Sequence, residues 1–459
     1  MKISGIFSNI LYLIDKMFGN SELKKRILLG GIWVIVGQIV LFFVSLAVNA
    51  LLARLVAPDE LGAYFLTLSL VSFASLVSIF GLDRAVIRLV AEPLAMGQPG
   101  RARKAINSVV KIVGFSIFIV SAFILLRGGA WVAKLLFHSE LMLSVVWLIP
   151  LWIAVSVFPA LIGEIFRGFN EISRATLLGG VSTKIFLLVF LLGLWFFIGH
   201  GNLTLIVSVT VLAGGLSLIL AFLLLYFKMR LLPRGSSENV SPKQILVYSW
   251  PFWITNLLLF FLLQADLWIL GMFAPQSAVA LYGASTRLVA IVTTPLMLVN
   301  ALAPPIIVEM HTRGEIRKLE KALQKMITWV GIPAILVFAF MFFCARQILG
   351  LIYGDYYRDG GSLLAILSIG QFFNVWAGSC GQVLMLTGHQ KIMMYASIIG
   401  GCVAILGSLL LVRDWGGWGV AIASSSGMIV QNLLMLIAAK KTVNIWTHMD
   451  FRLLFEHSV

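Results

Sequence analysis

Long apolar stretches follow one another along almost the whole chain, separated by short polar segments. A helix needs about 17 to 25 apolar residues to cross the hydrocarbon core of a bilayer. Because backbone polar groups find no water there, spanning stretches are predicted to be helices. The pattern predicts twelve spans, six per half, at 28–53, 61–82, 109–126, 141–163, 176–199, 203–227, 245–273, 278–303, 327–345, 362–386, 392–412 and 418–439.

The second half of the chain repeats the first. Ala57-Pro58 recurs as Ala274-Pro275, and a tyrosine follows soon after in each copy. Further echoes are the stretch 90–104 with 308–321, and the pair Gly163-Glu164 with Gly381-Gln382. Six spans per half is an even number, so both halves insert in the same direction. We therefore expect an all-α integral membrane protein with two parallel six-helix lobes related by an axis along the membrane normal.

Polar segments divide the chain into its expected parts. The N-lobe covers 28–227, the linker 228–244, the C-lobe 245–439 and the C-terminal tail 440–459. Residues 1–27 place their apolar side chains on one helical face, which predicts an interfacial helix on the cytoplasmic leaflet. A frayed tail is the alternative for that segment. The basic stretch 84–111 is expected to form a loop.

Composition agrees with a membrane protein, since 60% of the residues are hydrophobic and 12% are charged. Soluble domains carry about 25% charged residues. The net charge is +15, and few lysines and arginines fall on predicted outer segments: Arg54, Arg127, Lys134, Arg346, Arg358 and Arg413. This asymmetry predicts cytoplasmic N- and C-termini. The charge is a topology signal, and no nucleic-acid partner is expected.

Motifs of enzymes and pumps are missing from the sequence. The three cysteines, Cys344, Cys380 and Cys402, have no metal-ligand spacing, and the six histidines are scattered. No Walker-type loop or nucleophile elbow is present. We expect a secondary transporter with no cofactor and no metal site, in which coupling to H+ or Na+ is left open.

Ionisable side chains at membrane depth are costly and are therefore candidates for function. Asp266 and Arg287 lie on neighbouring spans, where they are candidates for a gate, a coupling site or a cargo contact. A structural ion pair between them is the alternative. Lys184 is a candidate cation for an anionic substrate, and snorkelling toward the headgroups is its alternative. The uncompensated charge inside the spans is positive, which favours an anionic cargo.

Further candidates lie at the ends of the spans. Arg84 and Arg88 are one helical turn apart, a spacing that suits a phosphate group. Topology signalling and headgroup contact are the alternatives for both. Glu164 joins Asp266 as a candidate gate or coupling residue, because few acidic groups occur at this depth.

Several runs of the sequence resemble the polysaccharide flippase family of the multidrug/oligosaccharidyl-lipid/polysaccharide exporter superfamily. In the first half they include Gly31, Trp33, Gly37, Gln38, Arg54, Pro58, Gly62, Tyr64, Phe80, Gly81, Leu82 and Arg88. In the second half they include Asp266, Trp268, Gly271, Tyr282 and Arg287. The resemblance covers almost the whole chain.

The resemblance implies two lobes arranged in a V around a central cavity. The implied activity is transfer of an undecaprenyl-pyrophosphate-linked oligosaccharide from the cytoplasmic to the periplasmic leaflet, for O-antigen or another surface polysaccharide. The implied location is the cytoplasmic (inner) membrane of a bacterium or archaeon. Its implied partners are that anionic lipid-linked glycan, membrane lipids, and a polysaccharide polymerase or other assembly protein. A multidrug/cation antiporter of the same superfamily and a membrane enzyme acting on lipid-linked sugars are the alternatives.

Overall fold

The computed structural model describes residues 22–233 and 242–454, and within these residues the chain forms helices and no strand. The N-lobe contains α1 Glu22–Leu55, α2 Pro58–Ile79, α3 Leu82–Ala95, α4 Pro99–Leu136, α5 Glu140–Gly168, α6 Ile172–Phe197 and α7 Leu203–Arg230. The C-lobe contains α8 Pro242–Phe273, α9 Gln276–Thr312, α10 Ile316–Phe343, α11 Ala345–Tyr353, α12 Gly361–Ala377, α13 Cys380–Leu386 and α14 Gln390–Val443.

Eleven helices of the described residues are long and apolar enough to cross a membrane, which confirms the predicted all-α membrane fold. The longest, α14, has 54 residues and contains a non-helical Gly416 with a φ of 51°. Its two sides pack antiparallel, because the Gln431 side chain reaches Ser397 and Gly400 faces the backbone of Gly427. The sequence predicts two spans in this region, one on each side of the turn.

The repeat is visible in equivalent turns of the two lobes. Gly97 before α4 and Gly314 before α10 both adopt the left-handed conformation, with φ of 68° and 73°. The lobes differ just before this point. In the N-lobe, left-handed Phe80 and Gly81 separate α2 from α3, whereas α9 continues unbroken to Thr312.

The predicted loop over 84–111 is wrong, because α3 and the start of α4 occupy most of it. The α3 helix is amphipathic, and its buried positions include Leu82, Ala85, Val86 and Val90. These residues form an apolar stripe along one face of the helix, and charged residues occupy the other face. The high share of charged residues makes the segment resemble a loop in sequence.

Parts of the predicted domain division fall outside the described residues. Of the interfacial segment 1–27, only the start of α1 at Glu22 is described. The linker 228–244 is described at its two ends, where α7 runs to Arg230 and α8 begins at Pro242. The lobe boundaries stay predictions.

Helix α2 carries much of the contact between the lobes. We call the end of the molecule that contains Pro58 the outer end and the end that contains Asp83 the inner end, following the orientation predicted from the basic residues. In the middle of α2, Ser69 accepts a hydrogen bond from the Trp268 indole N–H at 2.7 Å. Toward the inner end, the Phe80 and Trp253 rings stack with centroids 4.6 Å apart.

Candidate anion-binding site between the lobes

Lys184 on α6 and Arg287 on α9 lie at similar depth in the two lobes. Lys184 is 13 residues from the end of α6 at Phe197, and Arg287 is 11 residues from the start of α9 at Gln276. At 1.5 Å per residue, both lie about 15 to 20 Å from the outer helix ends. Both side chains are partly buried, and they are close enough for their like charges to repel each other.

The surroundings of Arg287 are aromatic and contain one strong hydrogen-bond acceptor. Its Nη1 donates to the Gly283 carbonyl, one turn earlier on α9, at 3.0 Å. Its Cζ lies 3.7 Å from the ring centroid of Phe65, which belongs to α2 of the opposite lobe. The phenols of Tyr64 and Tyr353 are close enough to interact with its charge. No carboxylate of the described residues pairs with this guanidinium.

Lys184 is also without an acidic partner among the described residues, and its electrostatic neighbour is Arg287. Two cations that repel each other in a low-dielectric setting favour an anion placed between them. Since Arg287 uses one of its five N–H donors on a backbone carbonyl, the others are available to oxyanions. The arrangement can therefore bind a phosphate or diphosphate group.

Asp266 lies elsewhere, inside the C-lobe. Its Oδ2 accepts a hydrogen bond from the Tyr282 hydroxyl at 2.6 Å and a longer one from the Ser424 hydroxyl at 3.5 Å. The N–H of Leu267 donates to its Oδ1 at 2.7 Å. The suggested ion pair with Arg287 is not formed, because the Asp266 carboxylate is bonded to Tyr282 while Arg287 stacks on Phe65.

Arg84, Arg88 and Glu164 lie at the inner end, away from Lys184 and Arg287. Arg88 donates to Glu92 at 2.9 Å, and this carboxylate raises the pKa of the Arg88 guanidinium. Its guanidinium also lies 5.3 Å from the ring of Tyr248 in the opposite lobe. Arg84 lies 3.9 Å from Asp83, and both oxygens of Glu164 accept from Arg167 at 2.8 Å. These cations are exposed and have carboxylate partners.

A family model described as polysaccharide biosynthesis protein matches residues 27–311, which is more than half of the chain. The chain belongs to the polysaccharide biosynthesis protein family. A second model, MatE, matches residues 251–410. Together with the apolar helices, the two matches confirm a multi-pass membrane protein and support the sequence resemblance to the polysaccharide flippase family.

A curated relative and several solved structures are similar over most of the chain. The probable low-salt glycan biosynthesis flippase Agl15 of Haloferax volcanii is 23% identical over 83% of this chain and 77% of its own. A multidrug resistance MATE transporter of the MOP superfamily in its inward-facing conformation aligns with a TM-score of 0.71, at 16% identity over 91% of this chain and 96% of that one. A MOP transporter from Pyrococcus furiosus aligns with a TM-score of 0.62, at 15% identity over 92% and 96%. These structures confirm the transporter fold.

The sequence indicates the charged residues of the candidate site but not the groups that contact them. Tyr282 belongs to the repeat and to the family resemblance, but its hydrogen bond to Asp266 depends on the packing of α8 against α9 and cannot be read from the sequence. Phe65 is one apolar residue among many on α2 and gives no signal of its contact with a cation in the other lobe. Gly283 is similarly one of 41 glycines.

Proposed function

We propose that this protein moves an anionic lipid-linked oligosaccharide across the membrane, with the diphosphate of the cargo bound between Lys184 and Arg287. The observation that carries the proposal is the placement of these two cations, one from each lobe, at similar depth and without an acidic partner among the described residues. The cargo expected from the family resemblance is an undecaprenyl-pyrophosphate-linked oligosaccharide.

The energetic cost of two unpaired cations within the membrane supports an anionic cargo. An unpaired cation at the centre of a bilayer costs about 3 kcal/mol on insertion scales, and two neighbouring cations repel each other as well. Two unpaired cations at this depth lower stability, so their presence favours a functional role over a structural one. An incoming diphosphate offsets both costs, because it accepts charge-assisted hydrogen bonds from each side.

Alternating access of the two lobes is the proposed route of transfer. In the predicted orientation, cargo enters from the cytoplasmic leaflet of the inner membrane and leaves to the periplasmic leaflet, where a polysaccharide polymerase or another assembly protein receives it. Both termini are cytoplasmic in this scheme. Asp266 and Glu164 are the proposed gate or coupling residues for H+ or Na+, and Arg84 and Arg88 guide the anionic headgroup at the inner entrance.

A multidrug/cation antiporter is the second candidate, favoured by the MATE transporters among the structural neighbours. The cations at the middle of the protein argue against it, since they repel a cationic drug. A membrane enzyme that acts on lipid-linked sugars is a weaker alternative, because the matching families are transporters.

Transport by the purified protein in proteoliposomes tests the proposal. Transfer of a fluorescent oligosaccharide on undecaprenyl diphosphate is measured by its exposure to a membrane-impermeant glycosidase. The same oligosaccharide on uncharged undecaprenol is the matched control, and ethidium is the cationic drug. We expect transfer of the diphosphate lipid alone. Ethidium transport without glycolipid transfer would establish the antiporter instead, and equal transfer of both glycolipids would show that the diphosphate is not recognised.

A further inference from the structure

A cation–aromatic contact joins the two lobes at Phe65 and Arg287, with Gly283 beside it. Neither the sequence nor the family assignment identifies this contact. Phe65 is 1% exposed, and its ring lies against the guanidinium of Arg287 at 3.7 Å from centroid to Cζ. A Cβ on Gly283 would lie 2.3 Å from Phe65 Cδ2. The glycine therefore admits the ring, and its carbonyl at the same time accepts a hydrogen bond from Arg287 at 3.0 Å.

We propose that Phe65 is a positioning residue for cargo binding, which holds the Arg287 guanidinium by one face and leaves its edge free for the diphosphate. This inference rests on the proposed function and assigns a role to a residue that carries no charge. An aromatic ring attracts a cation through the negative potential of its face. The N–H donors of a guanidinium point outward in its own plane, so stacking and oxyanion binding use different directions.

Gly283 completes the arrangement by fixing one donor. With Nη1 held by its carbonyl and one face held by Phe65, the guanidinium keeps little rotational freedom. A cation ordered before binding loses less conformational entropy when the anion arrives. Because the ring comes from α2 and the guanidinium from α9, this order depends on how the lobes meet. The orientation of the Arg287 guanidinium is therefore fixed in the arrangement described here, and the contact with Phe65 is lost when α2 moves away from α9.

Binding of farnesyl diphosphate to the purified full chain tests the role of Phe65, with farnesol as the uncharged probe. Phe65→Leu keeps an apolar side chain and removes the ring face, and we expect a loss of affinity on the order of ten-fold. Phe65→Tyr keeps the face and should retain most of the affinity. Phe137→Leu is the matched control, because Phe137 is equally buried and packs on Trp268 of the other lobe without touching a cation.

The decisive comparison is made in an Arg287→Gln background. If Phe65 acts through Arg287, adding Phe65→Leu to Arg287→Gln produces no further loss of affinity. A further loss of the same size as in the native background would overturn the inference and give Phe65 a packing role alone. Loss of affinity in the Phe137→Leu control of the same size would overturn it as well.

A second cycle with the same variants measures thermal stability without any probe. The contact predicts that the drops in apparent Tm are not additive, since removing the ring leaves a buried cation without support and removing the cation relieves that cost. Additive drops would contradict the contact. If native protein does not prefer farnesyl diphosphate to farnesol, the proposed cargo fails, and this cycle still decides whether Phe65 holds Arg287. Should Phe65→Leu not fold, Phe65→Met gives the same comparison with a longer apolar side chain.

Discussion

Asp59 in the N-lobe accepts a hydrogen bond at 2.8 Å from the backbone N–H of Ser277, at the first turn of α9 in the C-lobe. The first N–H groups of a helix have no partner within the helix and carry a partial positive charge. A carboxylate from the other lobe satisfies one of them here. The outer ends of the lobes are thus joined by a polar contact as well as by packing.

Arg54 makes the complementary contact on the same side. It donates from Nε to the Ile352 carbonyl at 3.1 Å and from Nη2 to the Leu351 carbonyl, near the end of α11. A guanidinium at the last carbonyls of a helix is favoured for the same reason that a carboxylate is favoured at its first N–H groups. Together Arg54 and Asp59 join the N-lobe to the C-lobe at the outer end.

Cross-linking the outer ends is expected to stop transport reversibly. Asp59→Cys and Ser277→Cys would be introduced after replacement of Cys344, Cys380 and Cys402. If the outer side must open to release cargo, oxidation should abolish glycolipid transfer in proteoliposomes and a reductant should restore it. Each single-cysteine variant is the control and should be insensitive to the oxidant. Full transfer by the cross-linked protein would show that these helix ends need not separate.

Gly62→Ala is expected to weaken the contact between the outer ends of the lobes. A Cβ on Gly62 would lie 1.9 Å from the carbonyl oxygen of Gln276, and a backbone atom cannot move away cheaply. We expect slower oxidative cross-linking of the Asp59→Cys/Ser277→Cys pair in this background and lower transfer. Gly215→Ala on α7 is the control, because no neighbouring atom lies within 4 Å of its added Cβ. Unchanged cross-linking in Gly62→Ala would contradict the tight contact.

The hydrogen bonds to Asp266 predict that variants of its partners change the gradient dependence of transfer to different extents. If Asp266 is the coupling residue, Asp266→Asn should abolish the dependence of transfer on an imposed pH or Na+ gradient. Tyr282→Phe removes the 2.6 Å hydrogen bond and should have a larger effect than Ser424→Ala, which removes a contact of 3.5 Å. The measurement is transfer rate against each gradient separately. A gradient response that survives in Asp266→Asn would remove Asp266 from the coupling scheme and leave Glu164 to be tested.

The spans were predictable from the sequence because hydropathy and helix length have a direct physical link. The predicted span 203–227 corresponds to α7 at Leu203–Arg230, and 61–82 corresponds to α2 at Pro58–Ile79. The amphipathic α3 was missed because its apolar stripe covers only one face. A search by hydropathy alone finds helices that are apolar all round and overlooks those that lie half in water.

For the candidate site, the sequence predicts that the charged residues lie within the membrane, but not the direction in which their side chains point. Counting residues along a span places Lys184 and Arg287 within the membrane, but it does not say which way each side chain points. The rotation of α6 and α9 about their axes follows from packing with neighbouring helices. The same limit explains the suggested Asp266–Arg287 pair, since two residues at similar depth on adjacent spans can still lie on different faces.

His448 is expected to make stability depend on pH. It lies after α14, outside the spans, with its ring 5.4 Å from Trp376 and 5.3 Å from Trp446, and burial lowers its pKa. The unfolded chain then binds a proton more readily than the folded one, so stability falls as pH drops below the ordinary histidine pKa of about 6.5. Apparent Tm in detergent between pH 7.5 and 5.5 should fall less in His448→Gln than in native protein. Exposed His200→Gln is the control, and an identical slope in His448→Gln would contradict the prediction.

Neutralising the two central cations is expected to reduce transfer more than neutralising the two cations of the inner end. A charge-assisted hydrogen bond is worth about 1.5 to 3 kcal/mol, so Lys184→Ala or Arg287→Ala should lower glycolipid transfer by roughly ten-fold or more. Arg287→Lys should recover part of the loss at most, because an ammonium group cannot keep the planar fork that stacks on Phe65. Arg84→Ala and Arg88→Ala remove exposed, ion-paired groups whose charges are screened by water, and the expected loss is below about five-fold.

The corresponding experiment is complementation of surface glycan in a flippase-null strain, with membrane levels of each variant checked by immunoblot. The Lys184→Ala/Arg287→Ala double variant should fail while being inserted at the native level, since removal of two mutually repelling cations relieves a cost in the folded protein. The Arg84→Ala/Arg88→Ala pair should complement in part. Full complementation by both pairs would defeat the cationic site, and failure of the Arg84/Arg88 pair alone would place anion recognition at the inner entrance. In either case the membership of the chain in its transporter family is unaffected, because that rests on the fold and on the matched residues 27–311.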